Sequence, residues 1–334
     1  MELISVAKNK IGKPIMKIIF AGSSKFGIPT IIKLKEKHQL LLIISQPDKP
    51  AGRKQRIKPC PIARFAKDQK LELYQPKSIN SSESIAKIKQ LNPELLITAS
   101  YGEIIKKEVR QIPLLGAINI HPSLLPKYRG PTPIQTALLN GENKTGTTIF
   151  KLTSRLDAGP ILAQRELVIQ SEDNFGSLEE KLANISAELL GEILPAIKDK
   201  TLTVRPQNEN LASYTHKFDK QDLWINWKDK IRNIFNQIRA FSPHPGARTF
   251  IHNTNLKILQ AEMYDFSINN KTGTIAGFIK NKGIIVNCQD GKLLITKVQA
   301  EGKKVMSAWA YQLGARLSEG ESFEPFNKVF FQNS

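Results

Sequence analysis

Asn119 and His121 stand two residues apart at the end of the apolar run Ala117-Ile118-Asn119-Ile120-His121, which stops at Pro122. In an extended strand, residues two apart project to the same side. The carboxamide and the imidazole therefore face one way, while Ile118 and Ile120 face the other, into packing. A carboxamide donor beside an imidazole suits the stabilisation of an oxyanion as a carbonyl is attacked. Alone, such a pair more often does no more than cap a strand end. Here it has company: the proline-pinned loop Ser123-Leu124-Leu125-Pro126-Lys127-Tyr128-Arg129-Gly130 follows directly, and Arg155-Leu156-Asp157-Ala158-Gly159-Pro160 marks a turn further on. Other patterns carry less. Gly22 and Gly27 have the glycine spacing of a phosphate-binding loop, but Ile28-Pro29 follows where Lys and Ser or Thr are required. Cys60 and Cys288 lie far apart, with no second thiol or histidine at ligand spacing. No metal site and no disulfide framework are expected, and a reducing compartment fits best.

The elements that must position these residues are legible as a pattern. Short apolar runs at 17–21, 40–45, 95–99 and 117–121 alternate with helical stretches at 26–37, 61–70 and 82–90. Apolar strands of about five residues alternating with helices predict a parallel sheet covered on both faces. That is a doubly wound, Rossmann-like α/β domain, and ligands of such domains sit at the carboxyl ends of the strands. Further strands are expected at 146–153 and 160–168, and a long closing helix at 178–197. Periodicity then breaks in the polar stretch Val204-Arg205-Pro206-Gln207-Asn208-Glu209-Asn210. Beyond it come a helix at 229–241 and five short strands at 247–251, 256–264, 273–278, 283–287 and 292–299, the spacing of a small OB-like β-barrel. The expected division is therefore a catalytic domain at 16–203, a linker at 204–220 and a barrel domain at 221–334. Residues 1–15 read as an extension, with Met16 a candidate start. Trp224 and Trp227 are expected in the barrel core.

The chain has 334 residues, 40% of them apolar, enough for two cores. No stretch approaches the apolar run of ~20 residues that a membrane span requires. Lysine and arginine number 49 against 30 acidic residues, a net charge of +19. Such an excess suits a polyanionic partner, although a lysine-rich proteome drifts basic without one. The charge is localised: residues 47–70 hold Lys49, Arg53, Lys54, Arg56, Lys58, Arg64, Lys67 and Lys70 against Asp48 and Asp68. This segment is expected to be a mobile loop at the carboxyl end of the second strand. From Val204 onward there are 18 basic and 11 acidic residues.

Asn119-x-His121-Pro-Ser-Leu-Leu-Pro-x-x-Arg129-Gly130 and Leu156-Asp157-x-Gly159 resemble the signature of the 10-formyltetrahydrofolate-dependent formyltransferases. From Met16 on, the chain resembles the methionyl-tRNA formyltransferases of that superfamily. Three stretches carry the narrower likeness: Gln46-Pro47-Asp48-Lys49-Pro50-Ala51-Gly52-Arg53, Ile238-Arg239-Ala240-Phe241-Ser242-Pro243-His244-Pro245-Gly246-Ala247, and Glu301-Gly302-Lys303-Lys304-Val305-Met306-Ser307-Ala308. The chain departs from the family pattern at Ser23-Ser24-Lys25, at Pro131-Thr132 and at His244, none of them a catalytic position.

The resemblance implies roles. Asn119 and His121 stabilise the oxyanion formed on 10-formyltetrahydrofolate, the co-substrate, and Asp157 orients His121 and helps move a proton. Ser123, Leu124, Leu125 and Pro126 line the reacting end of the folate. From the charge pattern, Lys49, Arg53, Lys54, Arg56 and Lys58 of the basic segment, with Lys303 and Lys304 of the basic barrel domain, are expected to contact initiator methionyl-tRNA, Arg53 being the best single candidate. No metal, no covalent enzyme intermediate and no membrane partner are implied, and a monomer in the bacterial cytoplasm is expected. The same three catalytic positions would serve a glycinamide ribonucleotide or sugar-nucleotide formyltransferase, or a formyltetrahydrofolate hydrolase, but a small substrate explains neither basic region. A nucleic-acid-binding protein with an inactive α/β domain is the alternative of a different class.

Overall fold

Uninterrupted apolar runs become buried strands. The computed structural model describes residues 15–51, 56–267 and 271–324. In chain order its first part holds β1 (Lys17–Gly22), α1 (Ile28–Lys37), β2 (Gln39–Ile44), β3 (Lys49–Ala51), β4 (Arg56–Lys58), α2 (Pro61–Asp68) and β5 (Leu73–Tyr74). There follow α3 (Ser82–Leu91), β6 (Leu95–Ala99), α4 (Lys107–Arg110), β7 (Ala117–His121), α5 (Pro133–Leu139), β8 (Lys144–Lys151), β9 (Ile161–Val168) and α6 (Phe175–Lys198). β6 is buried along its whole length, and β1 everywhere but Lys17. Strands buried on both faces belong at the centre of a helix-covered parallel sheet, which is where they lie.

The sheet order is β5-β2-β1-β6-β7-β8-β9, with β5, β2, β1, β6 and β7 mutually parallel and β8 antiparallel to β7. The expected doubly wound α/β architecture is borne out. Strand order reverses between β1 and β6, the switch point at which such sheets bind ligands. Ile19, Ile44, Leu96 and Ile88 anchor one core layer of this sheet.

Two features differ from expectation. The basic segment expected to be a mobile loop contains an antiparallel hairpin, Lys49 pairing with Lys58, Pro50 with Ile57 and Ala51 with Arg56. Three residues per strand are too few for a readable alternation. The edge strand β5 has two residues and pairs through Ile43↔Leu73 and Ile44↔Tyr74, again without a pattern to find.

The described residues pack as two compact units. One takes the stretch ending at His121 with Thr147–Arg165 and Ala183–Asn208; the other takes Pro122–Gly146, Glu166–Leu182 and the chain from Glu209. The second unit contains α5, then α7 (Ile231–Phe241), β10 (Ala247–Ile251), β11 (Thr254–Asp265), β12 (Ile275–Ile279), β13 (Gly283–Cys288), β14 (Gly291–Ala300), β15 (Met306–Ser307) and α8 (Ala308–Ala315). All five expected strands are present, in the antiparallel order β10-β11-β14-β13-β12.

The edges of this sheet are covered by one short segment. Glu324 exchanges both backbone hydrogen bonds with Phe250 of β10, while Glu321 and Phe323 bond to Ile275 and Gly273 at the start of β12. Residues 320–324 thus occupy both edges and complete a small barrel, removing the unpaired strand edges that invite aggregation. Ile231, Ile234, Ile238 and Phe241, spaced three and four apart, give α7 one buried face, three of them against the barrel core with Leu256, Ile258 and Val286. Trp227 lies in that core, its Nε1 donating to Thr249 Oγ1 at 2.9 Å and its ring stacked on Phe323. Trp224 is also buried, stacked on Phe250 with ring centroids 4.6 Å apart.

Candidate active site

β7 ends at the carboxyl edge of the sheet next to β6, in register Thr98↔Asn119, and next to β8, in register Asn119↔Phe150 and His121↔Thr148. Asn119 is half-buried and His121 is 4% exposed, while Ile118 and Ile120 pack in the core, as strand alternation requires. The buried Thr98 hydroxyl donates to Asn119 Oδ1 at 2.6 Å and lies 3.2 Å from the Ile118 carbonyl. Occupying the amide oxygen turns the amide nitrogen, a donor, to the other side. The site therefore presents a fixed N–H donor beside an imidazole.

Asp157 comes to His121 through the return of the chain along β8. Asp157 Oδ2 is 3.7 Å from His121 Nδ1, with the two side chains 13% and 6% exposed. That is within Coulombic reach in a poorly solvated place. The turn carrying Asp157 is tightly specified. Asp157 itself has φ 47°, a left-handed conformation that aspartate tolerates better than most residues. Two residues on, a Cβ added at Gly159 would stand 1.7 Å from the Lys151 carbonyl oxygen, so no side chain fits. The Gln207 amide nitrogen donates to the carbonyls of Asp157 and Gly159, 2.8 Å each.

The loop after His121 is internally braced. Ser123 is fully buried and its hydroxyl donates to the Lys127 carbonyl at 2.7 Å; Leu125 is 3% exposed, whereas Leu124 and Pro126 keep some surface. Arg129 is the largest fully buried side chain of the described residues. It forms a two-pronged pair with Glu209, both nitrogen–oxygen distances 3.0 Å, and donates to Tyr214 at 3.1 Å. Glu209 holds the guanidinium above its ordinary range. Backbone bonds from Arg129 N to Ser213 O and from Thr215 N to Arg129 O align this loop with residues 213–215. Gly130, at φ 112°, lies where a Cβ would meet the Thr215 carbonyl at 2.7 Å.

Of the basic candidates, Lys49 and Lys58 are exposed and stand opposite each other across the hairpin. The base of the hairpin is tethered by Asp48, which receives Gln75 Nε2 at 2.6 Å and pairs with Lys67 at 3.4 Å. Arg53 and Lys54 lie outside the described residues, and Arg56 is in register with Ala51. Lys303 and Lys304 are exposed in the turn between β14 and β15. Among the described residues no three His, Cys, Asp or Glu side chains are grouped to hold a metal ion, and no helix is long and apolar enough to cross a membrane.

The structure brings Asp157 to 3.7 Å from His121, with Asn119 on the same strand, and adds two contacts absent from the sequence reading, Thr98 to Asn119 and Gln207 to the Asp157 carbonyl. Thr98 is one threonine in an apolar strand, and its partner is set by cross-strand register. Gln207 sits in a segment without periodicity.

The family model described as formyl transferase matches residues 16–194, and that described as the formyl transferase C-terminal domain matches residues 217–316. Among curated proteins, the chain is 41% identical over 312 residues to the methionyl-tRNA formyltransferase of Dictyoglomus turgidum, covering 92% of this chain and 99% of that one. It is 39% identical over 307 residues to that of Kosmotoga olearia, covering 91% and 98%. Among solved structures, HypX from Aquifex aeolicus in complex with tetrahydrofolic acid superposes with a TM-score of 0.64 at 17% identity, covering 94% of this chain and 51% of that one.

Proposed function

The chain belongs to the methionyl-tRNA formyltransferase family, and on that premise we propose that it moves the formyl group of 10-formyltetrahydrofolate onto the α-amine of methionine carried by initiator tRNA. The methionine nitrogen attacks the formyl carbon and the carbonyl oxygen becomes an oxyanion. Asn119 Nδ2 and His121 stabilise that oxygen. As the intermediate collapses, the bond from the formyl carbon to N10 of the folate breaks. The proton lost by the methionine nitrogen is balanced by the one gained at N10, and Asp157 acts in that transfer while orienting His121. No cysteine is required. Ser123, Leu124, Leu125 and Pro126, which follow His121 in the chain, contact the reacting end of the folate, with Leu124 and Pro126 offering the surface.

The observation that carries this reading is the set Thr98, Asn119, His121 and Asp157: a carboxamide with its oxygen occupied, and an imidazole 3.7 Å from a carboxylate. The tRNA is held by Lys49, Arg53, Lys54, Arg56 and Lys58 near the acceptor end, and by the barrel domain through Lys303 and Lys304. The bacterial cytoplasm, where charged initiator tRNA is made, is the place of action.

The test is a formylation assay with 10-formyltetrahydrofolate and methionyl-initiator tRNA, run beside uncharged tRNA and glycinamide ribonucleotide. Formylation of the charged tRNA alone is expected. Turnover of glycinamide ribonucleotide instead would overturn the acceptor assignment. Affinity for tRNA should fall steeply with added salt, as phosphate contacts demand.

A further inference from the structure

Between residues 203 and 211 every side chain is exposed except Gln207. A single half-buried glutamine in a polar, aperiodic stretch has a local reason to be there. Its amide nitrogen lies 2.8 Å from the carbonyl of Asp157 and 2.8 Å from that of Gly159. A carboxamide nitrogen carries two hydrogens, so each carbonyl receives one. The orientation of the amide is unambiguous, because both neighbours are acceptors and only the nitrogen can face them. The segment that delivers it is fixed by a backbone bridge: Ile161 N donates to Arg205 O at 2.7 Å and Arg205 N to Ile161 O at 2.9 Å. Residues 205–207 thus run antiparallel to the start of β9 and pin the turn from both sides of Ala158. That turn holds Asp157 in a left-handed conformation, with Gly159 against the Lys151 backbone. Rotation of the Asp157 peptide would swing its carboxylate away from His121.

We propose that Gln207 is a positioning residue for formyl transfer: by holding the two carbonyls that flank Ala158, it sets the Asp157 carboxylate against His121. The inference rests on the reading of Asp157 as the partner of His121 in proton transfer. It also makes the chain just after the expected catalytic domain part of the catalytic machinery.

A double-mutant cycle on the full chain tests it, using Gln207→Ala, Asp157→Asn and the double variant. A misplacement of a catalytic group by a fraction of an ångström is expected to lower kcat about tenfold in Gln207→Ala. KM for both substrates should stay within about twofold. Since Gln207 acts through Asp157, removing it from the Asp157→Asn background should change kcat less than about twofold. Gln207→Asn, which keeps the donor on a shorter arm, should retain more activity than Gln207→Ala, and it serves in the cycle if the alanine variant does not fold. An equal loss in both backgrounds would make Gln207 a structural residue and overturn the proposal, while the assignment of formyl transfer stands. If Asp157→Asn itself left kcat unchanged, the role given to Asp157 would fall, and the proposal with it.

Discussion

Asp157→Asn keeps the size of the side chain and removes its charge. The carboxylate oxygen lies 3.7 Å from His121 Nδ1, and the two side chains are 13% and 6% exposed. A unit charge pair at that distance interacts by about 1 kcal/mol in water and by about 4 kcal/mol at the effective dielectric of a partly buried site. Burial of both groups places the value in the upper part of that range. Taking about 3 kcal/mol as the loss when the carboxylate that orients His121 and acts in the proton transfer is made neutral, kcat should fall about 10²-fold. Ground-state binding does not use this interaction, so KM for either substrate should move little. The assay is steady-state formylation of methionyl-initiator tRNA at saturating 10-formyltetrahydrofolate, on protein whose thermal midpoint matches that of the parent. A loss of less than threefold in kcat, or a loss confined to KM, would refute the assignment of Asp157 as the electrostatic partner of His121.

Thr98→Val removes the hydroxyl that fixes the Asn119 carboxamide and should lower kcat several-fold, as expected for about 1 kcal/mol of orienting hydrogen bond. In an Asn119→Ala background the same substitution should have almost no effect on rate. Burial pushes the Asp173 carboxyl upward, but the Lys181 ammonium, the Gln170 amide and the Ser177 hydroxyl together pull it below the ordinary carboxylate range. Its folded pKa is thus below its unfolded one, so its stabilisation is present above about pH 4 and disappears as pH falls through the lower folded value. Asp173→Asn should therefore flatten the acid limb of a stability-against-pH curve measured by thermal unfolding. Cys288 is buried in the barrel core, and burial pushes its thiol up to about 12. A thiol reagent at neutral pH should label Cys60 in the native protein and reach Cys288 only after denaturation, both counted by intact-protein mass.

Local pattern in the sequence was enough for the longer strands and for part of the site. Apolar runs bounded by turns specified the buried strands β1, β2, β6 and β7, and spacing specified all five long barrel strands to within a few residues. Period-two alternation alone put Asn119 and His121 on one side of β7, because strand geometry ties neighbours two apart whatever else the chain does. The hairpin at 49–58 and the strand at Leu73–Tyr74 escaped because each offers too few residues for a period to show.

Contacts between distant segments were decided by tertiary structure. Thr98 reaches Asn119 across 21 positions, and Gln207 reaches Asp157 across 50. Arg129, a charged residue of the proline-pinned loop, is fully buried against Glu209, 80 positions away. Periodicity records which side of its own element a residue faces and nothing about which residue lies opposite. That partner is chosen by strand register and packing, where one residue of slip would turn every side chain to the other face. The sequence by itself therefore determined the kinds of groups proposed for the chemistry and the element that carries Asn119 and His121. The orientation of the Asn119 amide and the placing of the Asp157 carboxylate came from partners that only the folded chain brings within hydrogen-bond reach.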